Sequence, residues 1–252
     1  MTTRTALLLC LTLAALPGAA AAQKPYVPRP IAPLGDEADA DRIVAWGGGG
    51  LVLALPVGEF SRYVNVGGGL NLFGALPLAR RGAASIRLDA TFLIYGSETR
   101  RAPLSGTVQL VTVEVTTSNQ IIGLAIGPQL TATSGGIRPY VNGQVGFSYF
   151  ATVSSVRGTN DVEDFARSTN FDDITLALRG GAGVWLRLTH GRTPVWLDLS
   201  AEYVRNGRVQ YLREGSITFD QTGAPIYHPI ESETHLWQVQ VGIAVGAPAR
   251  RP

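Results

Sequence analysis

Charge is what this sequence has least of. Asp, Glu, Lys and Arg make up 16% of its 252 residues, against about 25% in an ordinary soluble domain. The net charge is only +2, so the electrostatic attraction that carries most nucleic-acid binding is missing and no nucleic-acid partner is expected. Cysteine occurs once, at Cys10, which excludes a disulfide framework and a cysteine-rich zinc site. No run of about 18 apolar residues follows residue 22, so a transmembrane helix is excluded. What the chain has in quantity is apolar residues, at 45%, and 30 glycines. That apolar content is wrong for a disordered chain.

The ends differ from the middle. Residues 1–22 read as a secretory signal peptide: Arg4 supplies the positive start, Ala6 to Leu16 is apolar, Pro17-Gly18 breaks the stretch, and Ala20-Ala21-Ala22 offers a small-residue cleavage site before Gln23. The apolar core is too short to span a bilayer, which needs about 20 residues. Residues 23–42 combine four prolines with Asp36, Glu37, Asp39 and Asp41, the composition of a flexible, solvated linker. Residues 248–252 form a short basic tail. The body, 43–247, is expected to be one domain.

Within the body apolar and polar residues alternate with a period of two, the signature of strands with one apolar face. Ile86, Leu88, Ala90, Phe92 and Ile94 oppose Ser85, Arg87, Asp89 and Thr91. The same alternation sets Val141, Val145, Phe147 and Tyr149 against Asn142, Gln144 and Ser148, and Ile174, Leu176, Leu178, Val184 and Leu186 against Thr175, Arg179 and Arg187. Val195, Leu197, Leu199, Ala201 and Tyr203 oppose Asp198, Ser200 and Glu202, and Trp237, Val239, Val241, Ile243 and Val245 oppose Gln238 and Gln240. Eight strands are expected, near 44–57, 63–76, 83–96, 119–132, 139–153, 173–189, 194–206 and 234–247. Short Gly- or Pro-bearing turns near 78–82, 134–138 and 190–193 alternate with long polar connections at 97–118, 154–172 and 207–233; the first connection, 58–62, is short. An even strand count, with tight turns at one end and long loops at the other, predicts an all-β fold: an eight-stranded antiparallel up-and-down transmembrane barrel of the outer-membrane type.

The two faces decide between barrels. No charge falls on the apolar face of the five strands quoted. A soluble ligand-binding barrel would point its apolar face inward and carry many Lys and Glu outside. Here the polar face is mostly Asn, Gln, Ser and Gly, with Arg87, Asp89, Arg179, Arg187, Asp198 and Glu202, which suits an enclosed, self-paired lumen. The uncharged face then meets lipid, where a mid-depth Arg or Lys costs about 2–4 kcal/mol. Phe92, Phe147, Tyr149, Tyr203 and Trp237 lie on that face toward the long-loop ends and predict an interfacial girdle; Phe73 and Trp196 face inward by parity. Gly47–Gly50, Gly67–Gly69, Gly180, Gly181 and Gly183 fall inside strands, where a narrow barrel needs bending and room. They are not phosphate loops, since none opens a helix and no Gly-Lys-Ser/Thr occurs.

On these features, and on the final strand Leu236-Trp237-Gln238-Val239-Gln240-Val241-Gly242-Ile243-Ala244-Val245-Gly246, the chain resembles small eight-stranded outer-membrane barrels of the OmpA-barrel, OmpX and OmpW kind. The resemblance is one of pattern and length. It implies residence in the outer membrane of a diderm bacterium, with the lipid bilayer and the outer-membrane assembly machinery as partners. Members of this group typically end in Phe or Trp, whereas this sequence ends Ala247-Pro248-Ala249-Arg250-Arg251-Pro252.

Candidate chemistry is sparse. An eight-stranded barrel is just wide enough for its side chains to fill, so the lumen charges are expected to form an ion-paired plug, with a proton or ion path as the rival. A hydrolase would need a nucleophile beside its base. His235, near Ser232, Glu231 and Glu233, is the nearest approach to one, but Ser232 and His235 fall on opposite strand faces; His190 and His228 fall in a turn and a loop. Asp161, Glu163, Asp164, Asp172 and Asp173, with Arg157 and Arg167, make an acidic rim without the spacing or glycine of an EF-type calcium loop. No catalytic, cofactor or metal site is therefore expected. Residues 108–115 and 209–220 read as strand-like, either as hairpin extensions with an exposed edge or as a ninth and tenth strand, with a break near Thr116–Asn119. The function expected is structural or surface-interacting, with a ligand met through 97–118, 154–172 and 207–233. A narrow transporter of small hydrophobic molecules and an outer-leaflet lipid-modifying enzyme are the alternatives.

Overall fold

In the computed structural model the chain divides into two units, residues 1–37 and 38–252. The structure describes 43–78, 82–103, 112–158, 164–189, 193–212, 216–219 and 225–249, all in the second unit. The expected signal peptide, linker and extreme tail lie outside these residues, as do Asp161, Glu163 and His190.

Eight strands close a barrel: β1 (Ile43–Pro56), β2 (Gly67–Pro77), β3 (Ala84–Pro103), β4 (Thr112–Thr131), β5 (Ile137–Gly158), β6 (Asp164–Arg187), β7 (Val195–Asn206) and, after four short strands, β12 (Leu236–Pro248). Each pairs antiparallel with its neighbour along the chain, and β12 returns to β1. The short strands are β8 (Arg208–Tyr211), β9 (Ile217–Phe219), β10 (Pro225–Tyr227) and β11 (Ile230–Glu233), paired as β8 with β11 and β9 with β10. Residues 209–220 are thus loop hairpins and not further barrel strands. Directly paired residues lead from Gly47 through Gly74, Leu88, Ile126, Val145, Leu178 and Arg205, toward Val57, whose N–H meets the His235 carbonyl at 3.0 Å. A row of paired residues therefore regains β1 well above its start, the stagger that tilted strands need in order to close.

Closure sorts the side chains by parity. Outside lie Leu51, Leu70, Leu72, Leu88, Phe92, Leu124, Ile126, Val145, Phe147, Leu176, Leu178, Val241 and Ile243, all exposed. On β2 and β4 this uncharged stretch runs from Leu70 to Leu78 and from Ile122 to Leu130, matching the roughly 9–11 residues with which a tilted strand crosses hydrocarbon. An exposed apolar area on this scale has no place in water. The wall is that of an outer-membrane β-barrel, and its inner face carries the polar residues. At the short-turn end, Gly82 (φ 69°) and Gly135 (φ 90°) take left-handed turn conformations that favour glycine.

The outer ends correct the expected boundaries. Of the stretches taken as loops, 97–103 continues β3, 116–118 continues β4, 154–158 continues β5 and 164–172 continues β6, while 112–115, from the stretch 108–115 read as strand-like, extends β4 as a hairpin and 108–111 lie outside the described residues. In 97–99 and 116–118 every residue is Ser, Thr or Glu, so apolar alternation could not mark them there; pairing continues because each strand finds its neighbour. Ser97 with Ser118, Thr99 with Thr116 (2.9 Å) and Thr117 with Ser154 (2.8 Å) hydrogen-bond across strands. The break expected near Thr116–Asn119 is a register shift between Ile94 and Gly96, opposite Gln120 and Asn119. Strand β2 starts later than expected, because Phe60–Arg62 form a 3-10 turn and Tyr63–Val66 run to Gly67 without strand pairing.

The lipid-facing wall leads to a stability prediction. Val145→Arg, at mid-wall, should lower the unfolding free energy in lipid vesicles by about 2–4 kcal/mol, whereas arginine at an outward site beyond the apolar stretch should cost about 0–1 kcal/mol. Urea titration in vesicles measures both; equal losses at the two depths would contradict the assignment of this face to lipid.

Candidate functional site

The lumen is layered. At the turn end, Trp46, Phe73, Tyr140, Trp185, Trp196 and Ala244 pack together with Ile43 against them. Trp46 lies 4.8 Å from Trp185 and 6.5 Å from Trp196, centroid to centroid. Gly183 makes room for this layer, since a Cβ there would lie 2.5 Å from Tyr140 Cζ.

Above it is the polar layer. Arg87 donates from Nε to Asp89 Oδ2 at 2.7 Å and from Nη2 to Asp89 Oδ1 at 2.9 Å, and its third bond reaches Gln129. Both members of the pair are 1% exposed. Asp89 also accepts from Asn71 at 2.9 Å and from Gln144. Asn71 donates in addition to Gln240, and Thr91 donates to Asn71. The Arg87 guanidinium lies 4.0 Å from the Phe73 ring centroid, which joins the polar layer to the aromatic one. A buried pair of this kind gains from its bidentate geometry and its further hydrogen bonds, which offset the loss of water around both charges.

The other charges expected in the lumen are placed differently. Arg179 donates to Thr91 at 3.0 Å. Its guanidinium fills the space that Gly123 leaves, since a Cβ there would clash with Arg179 Nη2. Glu202 accepts from Asn142, and Asp198 accepts from the Tyr140 hydroxyl at 2.7 Å. Among the described residues, Arg87–Asp89 is thus the ion pair of the lumen, and amides and hydroxyls satisfy much of the rest. The described lumen residues hold one buried ion pair set in a larger network of Asn, Gln, Thr and Tyr side chains. Arg187 stands apart from the network. It lies 4.7 Å from the Trp196 ring, with Arg138 at 4.5 Å from the same ring, and donates to the Gly135 carbonyl.

A second apolar layer lies toward the long-loop end. Phe60, from the connection after β1, meets Tyr95, Phe150 and Tyr211 at 5.7, 6.2 and 5.3 Å between centroids. Val52, Leu93, Ile121, Val204, Val209 and Leu236 complete the cluster. The β8–β11 hairpin turns inward and contributes Val209 and Tyr211. At its rim Arg208 pairs with Glu231 at 3.1 Å and approaches Glu59 at 3.9 Å, and the bond to Glu231, with the charge of Glu59, raises the Arg208 pKa. The backbone N–H of Glu233 also donates to Glu59, tying the hairpin to the first connection.

Neither aromatic layer was assembled from sequence, although parity carried much of the signal. Trp185 alternates with Val184 and Leu186, Tyr140 with Val141, and Phe150 with Tyr149. Phe60 left no such trace, because it lies in an irregular connection, and Tyr211, in the strand-like stretch that forms β8, is turned inward only by the fold.

The interface aromatics have definite places. Phe92, Phe147 and Trp237 are exposed; Tyr149 and Tyr203 are half-buried. Tyr203 lies 5.3 Å from Trp237, and Tyr149 hydrogen-bonds Asp172. The residues weighed for hydrolysis do not meet: Ser232 bonds the Tyr211 hydroxyl at 2.9 Å, and His235 Nε2 meets Glu233 at 3.1 Å. Among the described residues, no three His, Cys, Asp or Glu side chains are grouped to hold a metal ion.

The fold is similar to three solved structures. Neisserial surface protein A has a TM-score of 0.47 at 12% identity, over 81% of this chain and 97% of that one. Ail, the attachment invasion locus protein of Yersinia pestis, has 0.44 at 9% identity, over 82% and 100%. The N-terminal β-barrel domain of Pseudomonas aeruginosa OprF has 0.33 at 12% identity, over 82% and 100%. No protein-family model and no curated protein matches the chain.

The buried pair yields a direct test. Asp89→Asn leaves Arg87 buried without its counter-charge and should cost about 3–5 kcal/mol of unfolding free energy. Arg208→Ala, at the exposed rim, should leave stability unchanged. A denaturant titration in which Asp89→Asn unfolds with wild type would remove the pair from the account.

Proposed function

We propose that the protein is a non-catalytic outer-membrane barrel whose role is structural and surface-interacting, exercised by the sheet that β3, β4, β5 and β6 raise beyond the lipid-facing belt. One observation carries this reading. Pairing of β2 with β3 ends at Gly68 opposite Ile94, yet β3 runs on to Pro103 with only β4 beside it. Pairing of β6 with β7 starts at Ala177, yet β6 extends back to Asp164 with β5 beside it. Among the described barrel strands, two outer edges are therefore left without a strand partner; that of β6 begins beyond Asp173, since Gly207 and Gln210 bond Leu176, Thr175 and Asp173. An edge presents a row of backbone donors and acceptors that an extended segment of another protein can complete.

The lumen supports the same reading. Apolar layers cover the polar layer at both ends, so the described residues offer no continuous path for a transported molecule. Ser232 and His235 are engaged elsewhere, which leaves the hydrolytic alternative without a nucleophile and base in contact. Insertion by the assembly machinery belongs to this proposal and follows from the barrel's need to enter a bilayer.

Replacing 97–117 and 154–168 by short turns tests the proposal. The shortened barrel should still insert, while adhesion of cells displaying it to protein-coated surfaces should fall to the level of cells lacking the protein. Undiminished adhesion by the shortened form would contradict the assignment to this sheet.

A further inference from the structure

The outward faces of the barrel strands stay uncharged through the apolar belt. On β7 that series is Val195, Leu197, Leu199, Ala201 and Tyr203, and the next outward residue is Arg205. Arg205 is exposed and sits opposite Leu178 on β6. Two residues below it, Tyr203 packs against Trp237 at 5.3 Å and against His235 at 6.1 Å. Arg205 therefore stands at the upper edge of the belt, beside aromatics of the kind that collect at headgroup level.

Its neighbours do not neutralise it. Among the described residues no carboxylate forms an ion pair with Arg205. Asp173 accepts from the backbone N–H of Ile174 and of Gln210, Asp172 is bonded to Tyr149, Glu233 lies 3.1 Å from His235 Nε2, and Glu231 pairs with Arg208. The flanking surface is apolar: exposed Leu178 sits opposite Arg205 on β6, exposed Leu176 and Ile174 continue that strand toward the loops, and Trp237 is exposed on β12. A guanidinium with free donors beside such a surface fits a phosphate that carries acyl chains, with the phosphate held by the fork and the chains laid along Leu178 and Trp237.

We propose that Arg205, with Tyr203 and Trp237, is a docking site for the headgroup phosphate of an anionic membrane lipid in the leaflet facing the long loops. This rests on the reading of the protein as a membrane barrel. A lipid whose phosphate lacks its own cation is favoured over a zwitterionic one, because it leaves the arginine charge fully matched. A cation near an anionic membrane surface contributes about 1 kcal/mol, equivalent to a roughly fivefold preference.

Trp237 supplies the readout. It is 43% exposed on the lipid side, whereas Trp46, Trp185 and Trp196 are at most 8% exposed. Full-length wild type, Arg205→Gln, Arg205→Lys and Trp237→Phe are each inserted into phosphatidylcholine vesicles carrying equal fractions of brominated phosphatidylglycerol or brominated phosphatidylcholine. In wild type the brominated phosphatidylglycerol should quench tryptophan fluorescence with about fivefold higher effective affinity. The lysine variant should keep much of this preference, the glutamine variant should quench equally with both lipids, and Trp237→Phe should lose the quenched component. Excess inorganic phosphate should leave the wild-type preference intact. The inference is overturned if wild type shows no preference, if Arg205→Gln retains it, or if inorganic phosphate abolishes it, the last assigning the site to a soluble anion. Absence of quenching by both lipids, with no insertion, would remove the membrane reading and this site together.

Discussion

A backbone in hydrocarbon has no water to bond, so each of its N–H and C=O groups must find a partner inside the protein. A sheet meets that demand only by closing on itself, and the pairing of β1 with β12 is where this chain does so. Closure then fixes the arrangement of the side chains. Strand parity sends one set of residues into lipid and the other into a narrow lumen, and hydrocarbon admits no charge on the first set. The scarcity of charge is a consequence: Leu70, Leu72, Leu124, Val145 and Val241 occupy positions where a soluble sheet would carry Lys or Glu.

The lumen has the opposite problem. Too narrow to stay open, it must be filled, and the polar groups filling it must be satisfied there, because each unpaired buried group costs free energy. Arg87 and Asp89 anchor the solution, with Asn71, Gln129, Gln144 and Gln240 taking up further bonds. Aromatic layers above and below shield this polar layer, which strengthens its electrostatics. Glycine serves the same end where Gly123 and Gly183 yield space to Arg179 and Tyr140.

How far residues could be read in advance depended on the solvent they meet. In the belt one face is lipid and the other protein, so alternation is strong: Leu88, Phe92 and Ile94 against Arg87, Asp89 and Thr91 disclose both the strand and its orientation. Above the belt water lies on both faces, and Ser97, Thr99, Thr116 and Thr117 form strands with no apolar pattern, which is why these stretches look like loops in sequence. The inward positions of Arg87, Asp89, Asp198 and Glu202 follow from parity, and Arg87 and Asp89 pair two residues apart on one strand, but the partners of Asp198 and Glu202 come from a strand distant in sequence, Tyr140 and Asn142. No spacing rule links such residues; the barrel's stagger does. The inward turn of Phe60 and Tyr211 is further still from local pattern, since it depends on the β8–β11 hairpin folding over the mouth.

The central claim is that lipid is the solvent of the outer wall and that the sheet is closed. Membrane fractionation read out by gel mobility with and without heating addresses both at once. The account predicts that the protein sediments with membranes, resists salt and alkaline washing, dissolves only in detergent, and runs as a compact band that shifts on boiling. Release into the soluble fraction without detergent, with a mobility that heating does not change, would contradict it.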